Sequence, residues 1–370
     1  KMQFSYWEHK TWFSEIDFTI VGSGIVGLSC ALELRKKHPK AKIVMLEKGM
    51  LPQGASTKNA GFACFGSVSE ILDDLTHSSE EEVIQLVKQR IAGLENLRKL
   101  IGDKTMDYQP WGGYELFTDN NSFNECIDSL TQINNLLQPI FNESVYSIKD
   151  NSFGFKNIKP KVIFNSFEGQ INTGKMMKEL LDLAYKNDIT IFNSITVTDF
   201  EKVGNNVEVR SDKLTFKTQH LFIATNGFSE SLGIDKVKPA RAQVLITKPI
   251  ENLEIKGTFH LDKGYYYFRN INNRILLGGG RNLDFRTEET AQFGQTDLIQ
   301  NQLEELLKST ILPKTLFQID QRWSGIMGVG KQKHPIVKSI SPQVHCGVRL
   351  GGMGVSIGNQ VGKQLAELIS

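Results

Sequence analysis

The chain has 370 residues, enough for two domains, and its 40% hydrophobic and 23% charged residues are typical of a folded globular protein. Its 43 basic and 41 acidic residues nearly balance, so no nucleic-acid-binding surface is predicted. The four cysteines form no CxxC pair, which favours neither a disulfide framework nor a zinc site and predicts free thiols in a reducing compartment.

The first segment, KMQFSYWEHKTWF, lacks the apolar core of a signal peptide. No apolar run approaches the roughly 20 residues of a membrane-spanning helix. We therefore expect a cytoplasmic protein without a membrane span.

A βαβ unit opens the chain. An apolar run ending in Gly22 predicts a strand, the helical spacing of residues 25–38 predicts a helix, and residues 42–47 predict a second strand. Between the first strand and the helix, the letters GSGIVG match the dinucleotide-binding pattern GxGxxG. The unit therefore predicts a site for an adenine dinucleotide.

Each glycine of that pattern has a physical role. Gly22 allows the tight turn, Gly24 lets the backbone approach a pyrophosphate, and Gly27 lets the helix pack close to the strand. The pyrophosphate then binds at the helix N-terminus, where free N–H groups favour negative charge. Glu47 ends the second strand, where its carboxylate can accept ribose hydroxyls. The pattern alone does not separate NAD from FAD.

The loop after the second strand favours FAD. Residues 54–66 read GASTKNAGFACFG and contain no bulky aliphatic side chain, which suits backbone that lies against a flat, rigid ring. A long helical insertion at 79–137 follows, in place of the further βαβ units that are typical of NAD(P) dehydrogenases.

Helices and strands are mixed through the rest of the chain. The patterns predict helices at 79–101, 121–137, 174–187, 296–309 and 359–369, and strands within 189–192, 195–211, 219–225, 264–270 and 274–280. The fold class is therefore α/β or α+β.

Several segments together carry a family resemblance. In chain order they are DFTIVGSGIVGLSCALEL, LEKGMLPQGASTKNAGF, EGQINTGKMMKELLDLA, ATNGF, RWSGIMG and GVRLGGMGVSIGNQVGKQLAELI. With these segments the chain resembles the FAD-dependent amino acid and amine oxidoreductases. That group contains D-amino-acid oxidase, glycine oxidase, sarcosine oxidase and γ-glutamylputrescine oxidase, and the likeness is greatest to its amine-oxidase branch.

The resemblance implies an α/β fold of two interleaved domains. A Rossmann-like FAD-binding domain, glutathione-reductase-related and D-amino-acid-oxidase-like, would consist of residues 1–78, 153–232 and 322–370. A substrate domain with an antiparallel sheet would consist of residues 79–152 and 233–321. The active site would lie between the two domains, against the flavin ring.

The resemblance also implies which residues contact FAD. Val197 would hold the adenine through its backbone, and the N-terminus of a helix at 358–369 would face the flavin N1–C2=O end, where reduced flavin carries negative charge. Lys58 is either a cofactor contact or a surface lysine, and Cys64 is interpreted as packing. The other implied contacts, besides Gly22, Gly24, Gly27 and Glu47, are Ile25, Val26, Lys48, Ser56, Thr57, Asn59, Ala60, Gly61, Phe62, Thr225, Asn226, Gly227, Gly325, Arg349, Gly351, Gly352, Met353, Gly354 and Val355.

Substrate contacts follow less directly from the resemblance. Met327 stands where the α-amino-acid oxidases of the group have a carboxylate-binding Arg, and this departure favours an amine, or a carboxylate held from elsewhere. Arg349, Arg281 and Arg269 are candidates to hold a carboxylate, because the guanidinium fork matches its geometry.

A run of three tyrosines, YYY at 265–267, falls where the group has a substrate-facing Tyr. Strand alternation should direct one of these rings into the pocket, and we assign this role to Tyr266 or a neighbour. His334 and His345 lie near the site segments, but a single His is more often an ordinary polar residue. No metal-binding cluster and no nucleophile triad is evident in the sequence.

The predicted reaction is oxidation of the CH–NH bond of an amine or small amino acid by hydride transfer to flavin N5, after which water hydrolyses the imine. O₂ or an electron carrier would reoxidise the flavin. One alternative is an FAD-dependent oxidase domain that modifies a tRNA base, which the near-neutral charge disfavours. Another is a flavoprotein that transfers electrons or binds a partner without a small amine substrate. The oligomeric state stays open.

Overall fold

The computed structural model describes residues 2–369, in which eighteen strands and nine α-helices occur. The helices are α1 (Tyr6–Glu8), α2 (Ile25–Lys37), α3 (Val68–His77), α4 (Glu80–Ile101), α5 (Asn120–Phe141), α6 (Thr173–Lys186), α7 (Phe285–Glu288), α8 (Asp297–Leu306) and α9 (Gly354–Ala366). The strands are β1 (Ile16–Val21), β2 (Ile43–Leu46), β3 (Phe62–Ala63), β4 (Gly113–Glu115), β5 (Tyr146–Asp150), β6 (Lys161–Asn165), β7 (Gly169–Gln170), β8 (Thr190–Phe192), β9 (Val197–Val203), β10 (Asn206–Ser211), β11 (Thr215–Ile223), β12 (Lys238–Thr247), β13 (Thr258–Leu261), β14 (Tyr266–Ile271), β15 (Arg274–Gly279), β16 (Ile319–Val329), β17 (Ile336–Ser341) and β18 (Val344–Val348).

The first sheet has a parallel centre. Its order is β17-β18-β11-β1-β2-β8, with the β9–β10 hairpin joined to β11. Strand β1 is parallel to both β2 and β11, and β2 is buried at all four of its positions, as expected for a parallel strand covered on both faces. The carboxyl ends of these strands meet at one edge of the sheet, where such sheets bind ligands.

Helix α9 packs against both α2 and α4. A Cβ atom at Gly362 of α9 would lie 2.6 Å from the Val26 carbonyl oxygen, and one at Gly93 of α4 would lie 2.1 Å from the Ser356 carbonyl oxygen. Glycine at these two positions therefore permits close approach of the helix backbones. The predicted insertion helix α4 thus lies against the C-terminal helix.

The second sheet is mainly antiparallel. Its order is β16-β12-β15-β14-β13-β4-β6-β5, in which β13 and β4 are parallel. On one face, Phe259 and Phe268 stack with ring centroids 4.6 Å apart, and Ile299 and Leu303 of α8 join the same core. Apolar packing thus occupies one face of the sheet and leaves the other for the cleft described below.

The structure confirms the predicted α/β class, with a Rossmann-like sheet and a separate antiparallel one. The division into domain segments stays a prediction. Two strands belong to a different sheet from the one that their predicted segment implies. Strand β6 belongs to the second sheet although it lies within 153–232. Strand β16 pairs with β12 along its whole length, so its residues after 322 also belong to the second sheet. Lys1 and Ser370, at the ends of the predicted cofactor domain, lie outside the described residues.

No helix between residues 2 and 369 is both long and apolar enough to cross a membrane. Cys30, Cys64, Cys126 and Cys346 are free and buried. Burial raises the pKa of the Cys64 thiol, which keeps it protonated and makes it a packing residue rather than a nucleophile.

Candidate active site

One cleft of about 1010 Å³ connects the carboxyl ends of β1 and β2 with a face of the second sheet. Its wall consists of the turn after β1, the loop after β2, the segments that follow β11 and β18, and parts of β12, β14 and β16. Ligand pockets commonly span roughly 300–1,000 Å³. The cleft is therefore large enough for an extended ligand together with a small one.

The glycine turn is shaped by contacts with neighbouring backbone. Gly22 has a φ of 101°, and a Cβ atom there would lie 2.5 Å from the Ala224 carbonyl oxygen. A Cβ at Gly27 would lie 1.9 Å from the Gly22 carbonyl oxygen, so Gly27 serves helix packing and does not line the cleft. The N–H of Ile25 donates to Ser56 Oγ at 2.9 Å. Gly24, Ile25 and Val26 line the cleft, so the first turn of α2 faces it, as anion binding requires.

Glu47 joins the turn to the following loop. It is 5% exposed, and its carboxylate accepts hydrogen bonds from the Ser23 N–H and hydroxyl at 3.1 and 2.7 Å. It also accepts from the N–H groups of Gly49 and Gln53 at 2.9 and 3.2 Å. Each carboxylate oxygen accepts two of these four hydrogen bonds, which uses both of its lone pairs, so a ribose hydroxyl would take the place of one of these donors. Ser23 is not among the residues predicted from the sequence, because it occupies a variable position of the glycine pattern.

The small-residue loop is organised by its own polar side chains. Asn59 Nδ2 donates to the Ala55 and Ser56 carbonyl oxygens at 3.1 and 3.0 Å, and Asn59 Oδ1 accepts from the Gly61 N–H at 2.9 Å. Thr57 Oγ1 donates to the Pro52 carbonyl at 2.7 Å. Thr57 therefore stabilises the turn from behind and does not line the cleft.

Arg269 supports the same loop from the second sheet. Its side chain is 3% exposed, and Nη1 donates to the carbonyl oxygens of Ala60, Gly61 and Ile171 at 3.0, 3.2 and 2.5 Å. Burial lowers its pKa to about 10. Arg269 is therefore not available to hold a substrate carboxylate, and this corrects its place among the three candidate arginines.

The segment after β18 closes the cleft from the C-terminal side. Asn226, at a φ of 40°, accepts hydrogen bonds at Oδ1 from the N–H groups of Arg349 and Leu350 at 3.0 and 3.2 Å. Helix α9 begins at Gly354, just beyond this contact. Its N-terminal end therefore lies at the cleft, where its dipole favours negative charge.

The Arg349 side chain is fixed by a contact with the loop before β17. Its φ of 68° is in the left-handed region, and Nε donates to the His334 carbonyl oxygen at 2.8 Å. Burial lowers its pKa. With this contact Arg349 is better suited to shape the wall than to reach a substrate, although its side chain lines the cleft.

In the tyrosine run, the neighbours of Tyr266 rather than Tyr266 itself line the cleft, which is the second of the two predicted possibilities. Tyr265 and Tyr267 line the cleft, whereas Tyr266 is 9% exposed and packs in the core that contains Ile299. The correction follows from sheet packing, because α8 covers the Tyr266 face of β14. Tyr267 lies opposite Gly278, where a Cβ atom would come within 2.6 Å of the tyrosine ring.

Arg281 follows β15 at the end of the cleft that the tyrosines line. Its guanidinium carbon lies 5.5 Å from the Tyr265 ring centroid and 5.2 Å from that of Phe285. Within residues 2–369 the Arg281 side chain has no ion-pair or hydrogen-bond partner. Of the three candidate arginines it is the one whose charge is free for a ligand.

The structure brings most predicted site residues to this cleft. All the predicted cofactor residues except Gly27 and Thr57 line it, as do Arg281, Arg349 and Met327. Contact of each residue with a ligand stays a prediction. Two further residues of this region are not among those predicted from the sequence: His260, which lines the cleft beside Tyr267, and Glu168, which bonds to His260. Glu168 lies in the turn between β6 and β7 and reaches His260 of β13 across 92 residues of chain, a contact that no local pattern displays.

A Rossmann-like sheet, a glycine turn and an adjoining chamber are features of dinucleotide-dependent oxidoreductases. The chain belongs to the FAD-dependent oxidoreductase family (DAO), whose model matches residues 17–368. A curated relative, the probable oxidoreductase OrdL of Haemophilus influenzae, is 22% identical over 379 residues, which cover 97% of this chain and 84% of the relative.

Solved structures show the same fold. L-proline dehydrogenase from P. horikoshii is 17% identical with a TM-score of 0.74, and the match covers 96% of this chain and 93% of that chain. Glycine oxidase from Geobacillus kaustophilus is 18% identical with a TM-score of 0.74, and the match covers 95% of this chain and 94% of that chain. The predicted resemblance to this group is confirmed.

FAD is the cofactor of this family, and the predicted cofactor and enzyme class are confirmed by the match. The cleft also fits FAD physically. Added Cβ atoms at Gly351 and Gly352 would meet no atom within 4 Å, so the backbone there is open to a flat ligand. The first turn of α2 would hold the pyrophosphate, and Glu47 would hold the ribose.

Proposed function

We propose that the protein oxidises the CH–NH bond of an amine or a small amino acid. One observation carries the proposal: the cleft continues from the dinucleotide turn into a chamber walled by Tyr265, Tyr267 and Arg281. The names of glycine oxidase and L-proline dehydrogenase give amino acids as the substrates of those proteins, which share this fold.

FAD, when bound, supplies a hydride acceptor at N5, so that the substrate leaves as an imine that water hydrolyses. The tyrosine rings and Met327 give the chamber apolar walls that exclude water. Burial raises the pKa of Tyr267 to about 12, although the charge of Arg281 opposes the shift. The Tyr267 hydroxyl therefore stays protonated and can donate a hydrogen bond to the substrate.

The acidic groups of the cleft have partners within the protein. They belong to Glu47, Glu70, Asp73, Asp74 and Glu230. Each has a hydrogen bond or ion pair to a backbone N–H or a lysine. Among residues 2–369 the cleft therefore has no carboxylate without a partner that could stabilise the ammonium form of a bound amine. Loss of that proton to water provides the lone pair that hydride transfer needs.

Arg281 is the proposed anchor for a carboxylate of the substrate. It lines the chamber beside Tyr265 and has no acidic partner between residues 2 and 369. Met327 offers no charge in its place, and the Arg349 Nε is engaged with a backbone carbonyl. A guanidinium fork at this position would orient an amino acid by a bidentate contact.

The electron acceptor and the compartment belong to the proposal as well. O₂ or an electron carrier would reoxidise the reduced cofactor. Four free, buried cysteines support a reducing compartment such as the cytoplasm.

Anaerobic reduction tests the proposal. The purified, FAD-loaded protein is mixed with polyamines, N-methyl amino acids, glycine and D-amino acids one at a time, and the flavin absorbance is followed. We expect one substrate class to bleach the flavin, and recolouring in air would identify O₂ as an acceptor. A flavin spectrum that no amine in this panel bleaches would contradict amine oxidation.

The anchor is tested with Arg281→Gln and the matched control Arg286→Gln, whose side chain is exposed. For a carboxylate-bearing substrate we expect Arg281→Gln to raise KM roughly ten- to hundredfold, since a charge-assisted hydrogen bond is worth about 1.5–3 kcal/mol. Arg286→Gln should leave KM unchanged. An equal KM for both variants would remove Arg281 as the anchor.

A further inference from the structure

His260 lies on the cleft face of the second sheet. It is paired in register with Tyr267 of β14 and with Glu115 of β4. Its ring meets that of Phe62 edge to face, with centroids 5.2 Å apart. Although the residue is only 5% exposed, it lines the cleft, so its open surface is directed to a ligand rather than to bulk solvent.

Glu168 bonds to the imidazole ring of His260 and orients it. His260 Nε2 bonds to Glu168 Oε1, and Thr258 Oγ1 donates to the same oxygen at 2.7 Å. Glu168 is 2% exposed, and a Cβ atom at Gly113 would lie 2.3 Å from its carboxyl carbon. The carboxylate therefore occupies one fixed position and orients the imidazole, as a carboxylate partner does for many functional histidines.

The other ring nitrogen is available. His260 Nδ1 has no hydrogen-bond partner within residues 2–369. Since the residue lines the cleft and Nε2 is engaged with Glu168, Nδ1 is the ring nitrogen left for a ligand in the cleft.

The charge of the ring follows from its surroundings. Carboxylates face it from three elements, with Glu168 ahead of β7, Glu115 on β4 and Glu70 on α3. Burial alone would lower the pKa of His260, but these carboxylates raise it to about 9. The neighbouring Tyr267 is uncharged because its own pKa is raised to about 12. At neutral pH both ring nitrogens of His260 therefore carry a proton, and Nδ1 is a charged donor.

We propose that His260, oriented by Glu168, is an anion anchor of the cleft that donates its Nδ1–H to a carboxylate of the substrate. An imidazolium repels an ammonium group and cannot take its proton, so the acidic end of the substrate faces His260 and the nitrogen turns away. Arg281 is close enough to Tyr267 for its charge to act on the phenol, so the two donors flank this tyrosine. The substrate class is an amine with a carboxylate at His260 and room for a second at Arg281.

Anion binding to the FAD-loaded protein tests the proposal without turnover. Propionate is titrated into the wild type, His260→Asn and Glu168→Gln between pH 6 and pH 10, and the shift of the flavin absorbance gives Kd. We expect the wild-type affinity to be constant at neutral pH and to fall above the pKa of about 9. His260→Asn should bind propionate roughly ten- to hundredfold more weakly at pH 7, without this pH dependence.

Glu168→Gln should move the loss of propionate affinity to lower pH. Without the Glu168 charge, burial lowers the pKa of His260 by more than the remaining carboxylates raise it. His345→Asn is the matched control, since His345 is a buried histidine of the first sheet that does not line the cleft, and its binding should equal that of the wild type. If His260→Asn does not retain FAD, His260→Gln replaces it in the same comparison.

Equal affinity and equal pH dependence for the wild type and the His260 variant would overturn the proposal, as would a wild-type spectrum that propionate leaves unchanged. The inference rests on the proposed amine oxidation for the identity of the substrate. Failure of that function appears separately, as propionate binding with no bleaching by any amine.

Discussion

Two histidines buried in the two sheets have different partners. His260 of the second sheet is 5% exposed, and His345 of the first sheet is 1% exposed. His260 Nε2 bonds to the carboxylate of Glu168. His345 instead contacts His220 at 3.1 Å through Nε2 and Ser339 Oγ at 2.7 Å through Nδ1.

The partner decides the charge of each ring. Burial favours the neutral imidazole in both sheets. It lowers the pKa of His345 to about 4, and the neighbouring His220 adds to this effect. At His260, neighbouring carboxylates outweigh burial and raise the pKa to about 9. The cleft therefore contains a cationic histidine, whereas the first sheet contains a neutral one that serves packing.

Removing the carboxylate should give the largest effect. For Glu168→Ala we expect the free energy of unfolding at pH 7 to fall by about 3–5 kcal/mol, because a buried charge loses its partner. Urea unfolding of the FAD-loaded protein, followed by circular dichroism, measures the change. The exposed carboxylate of Glu143 offers a control, since Glu143→Ala should stay within about 0.5 kcal/mol. A loss below about 1 kcal/mol for Glu168→Ala would indicate that the pair carries no charge.

Alkaline pH should weaken the folded state through His260. The folded chain keeps this proton up to the pKa of about 9, whereas the unfolded chain releases it near pH 6.5. The stabilisation is therefore complete below about pH 6.5 and is lost as pH rises to about 9, a change on the order of 3 kcal/mol. Urea midpoints across this range should decline in the wild type and decline less in His260→Gln. Identical slopes in the two proteins would show that another group causes the decline.

Acidic pH should weaken the folded state through His345, in the opposite direction. The unfolded chain takes up a proton near pH 6.5, whereas the pKa of about 4 keeps the folded ring neutral until lower pH. Stability is thus expected to fall by on the order of 3 kcal/mol as pH decreases from about 6.5 to about 4. His345→Gln should reduce this slope in urea unfolding, and His9→Gln, at an exposed position, should retain it. A wild-type slope in His345→Gln would be evidence against this assignment.

The smallest effect should come from Ser339. Ser339→Ala removes the hydroxyl partner of His345 Nδ1, and we expect a loss of about 1 kcal/mol in the free energy of unfolding at pH 7. Chemical denaturation measures it against Ser144→Ala, an exposed serine. A loss as large as that of Glu168→Ala would mean that the neutral partner of His345 and the charged partner of His260 contribute equally to the free energy of unfolding. That result would contradict the difference drawn between the two histidines.

Local features of the sequence predicted the cofactor end of the cleft well. The roles of Gly22 and Gly27 depend on a turn between one strand and one helix, and the structure shows the backbone contacts that require glycine there. Alternation of side chains along β14 was also predictable, but which of the alternating tyrosines face the cleft was not. Tyr266 packs with Ile299 because α8 covers that face, and no local pattern around the tyrosine run indicates which face α8 covers.

The three candidate arginines show the same limit. All three have the same type of side chain, yet their contacts differ. Arg269 binds the Ala60 carbonyl, 209 residues away along the chain. The Arg349 side chain binds the His334 carbonyl, whereas the Arg281 guanidinium lies near the rings of Tyr265 and Phe285. Their availability to a ligand depends on these contacts, which residue type does not reveal.

The sequence by itself determined the family, the FAD cofactor and the α/β class, because each depends on patterns within single strands, turns and helices. Only the tertiary structure decided which groups face the substrate. His260 and Glu168 are 92 residues apart in the chain, and Tyr267 meets His260 only through the register of β13 and β14. The sheet pairs the distant strands β13 and β14, and the turn between β6 and β7 brings Glu168 to His260. The chemistry of the chamber therefore follows from contacts between distant segments rather than from any single one.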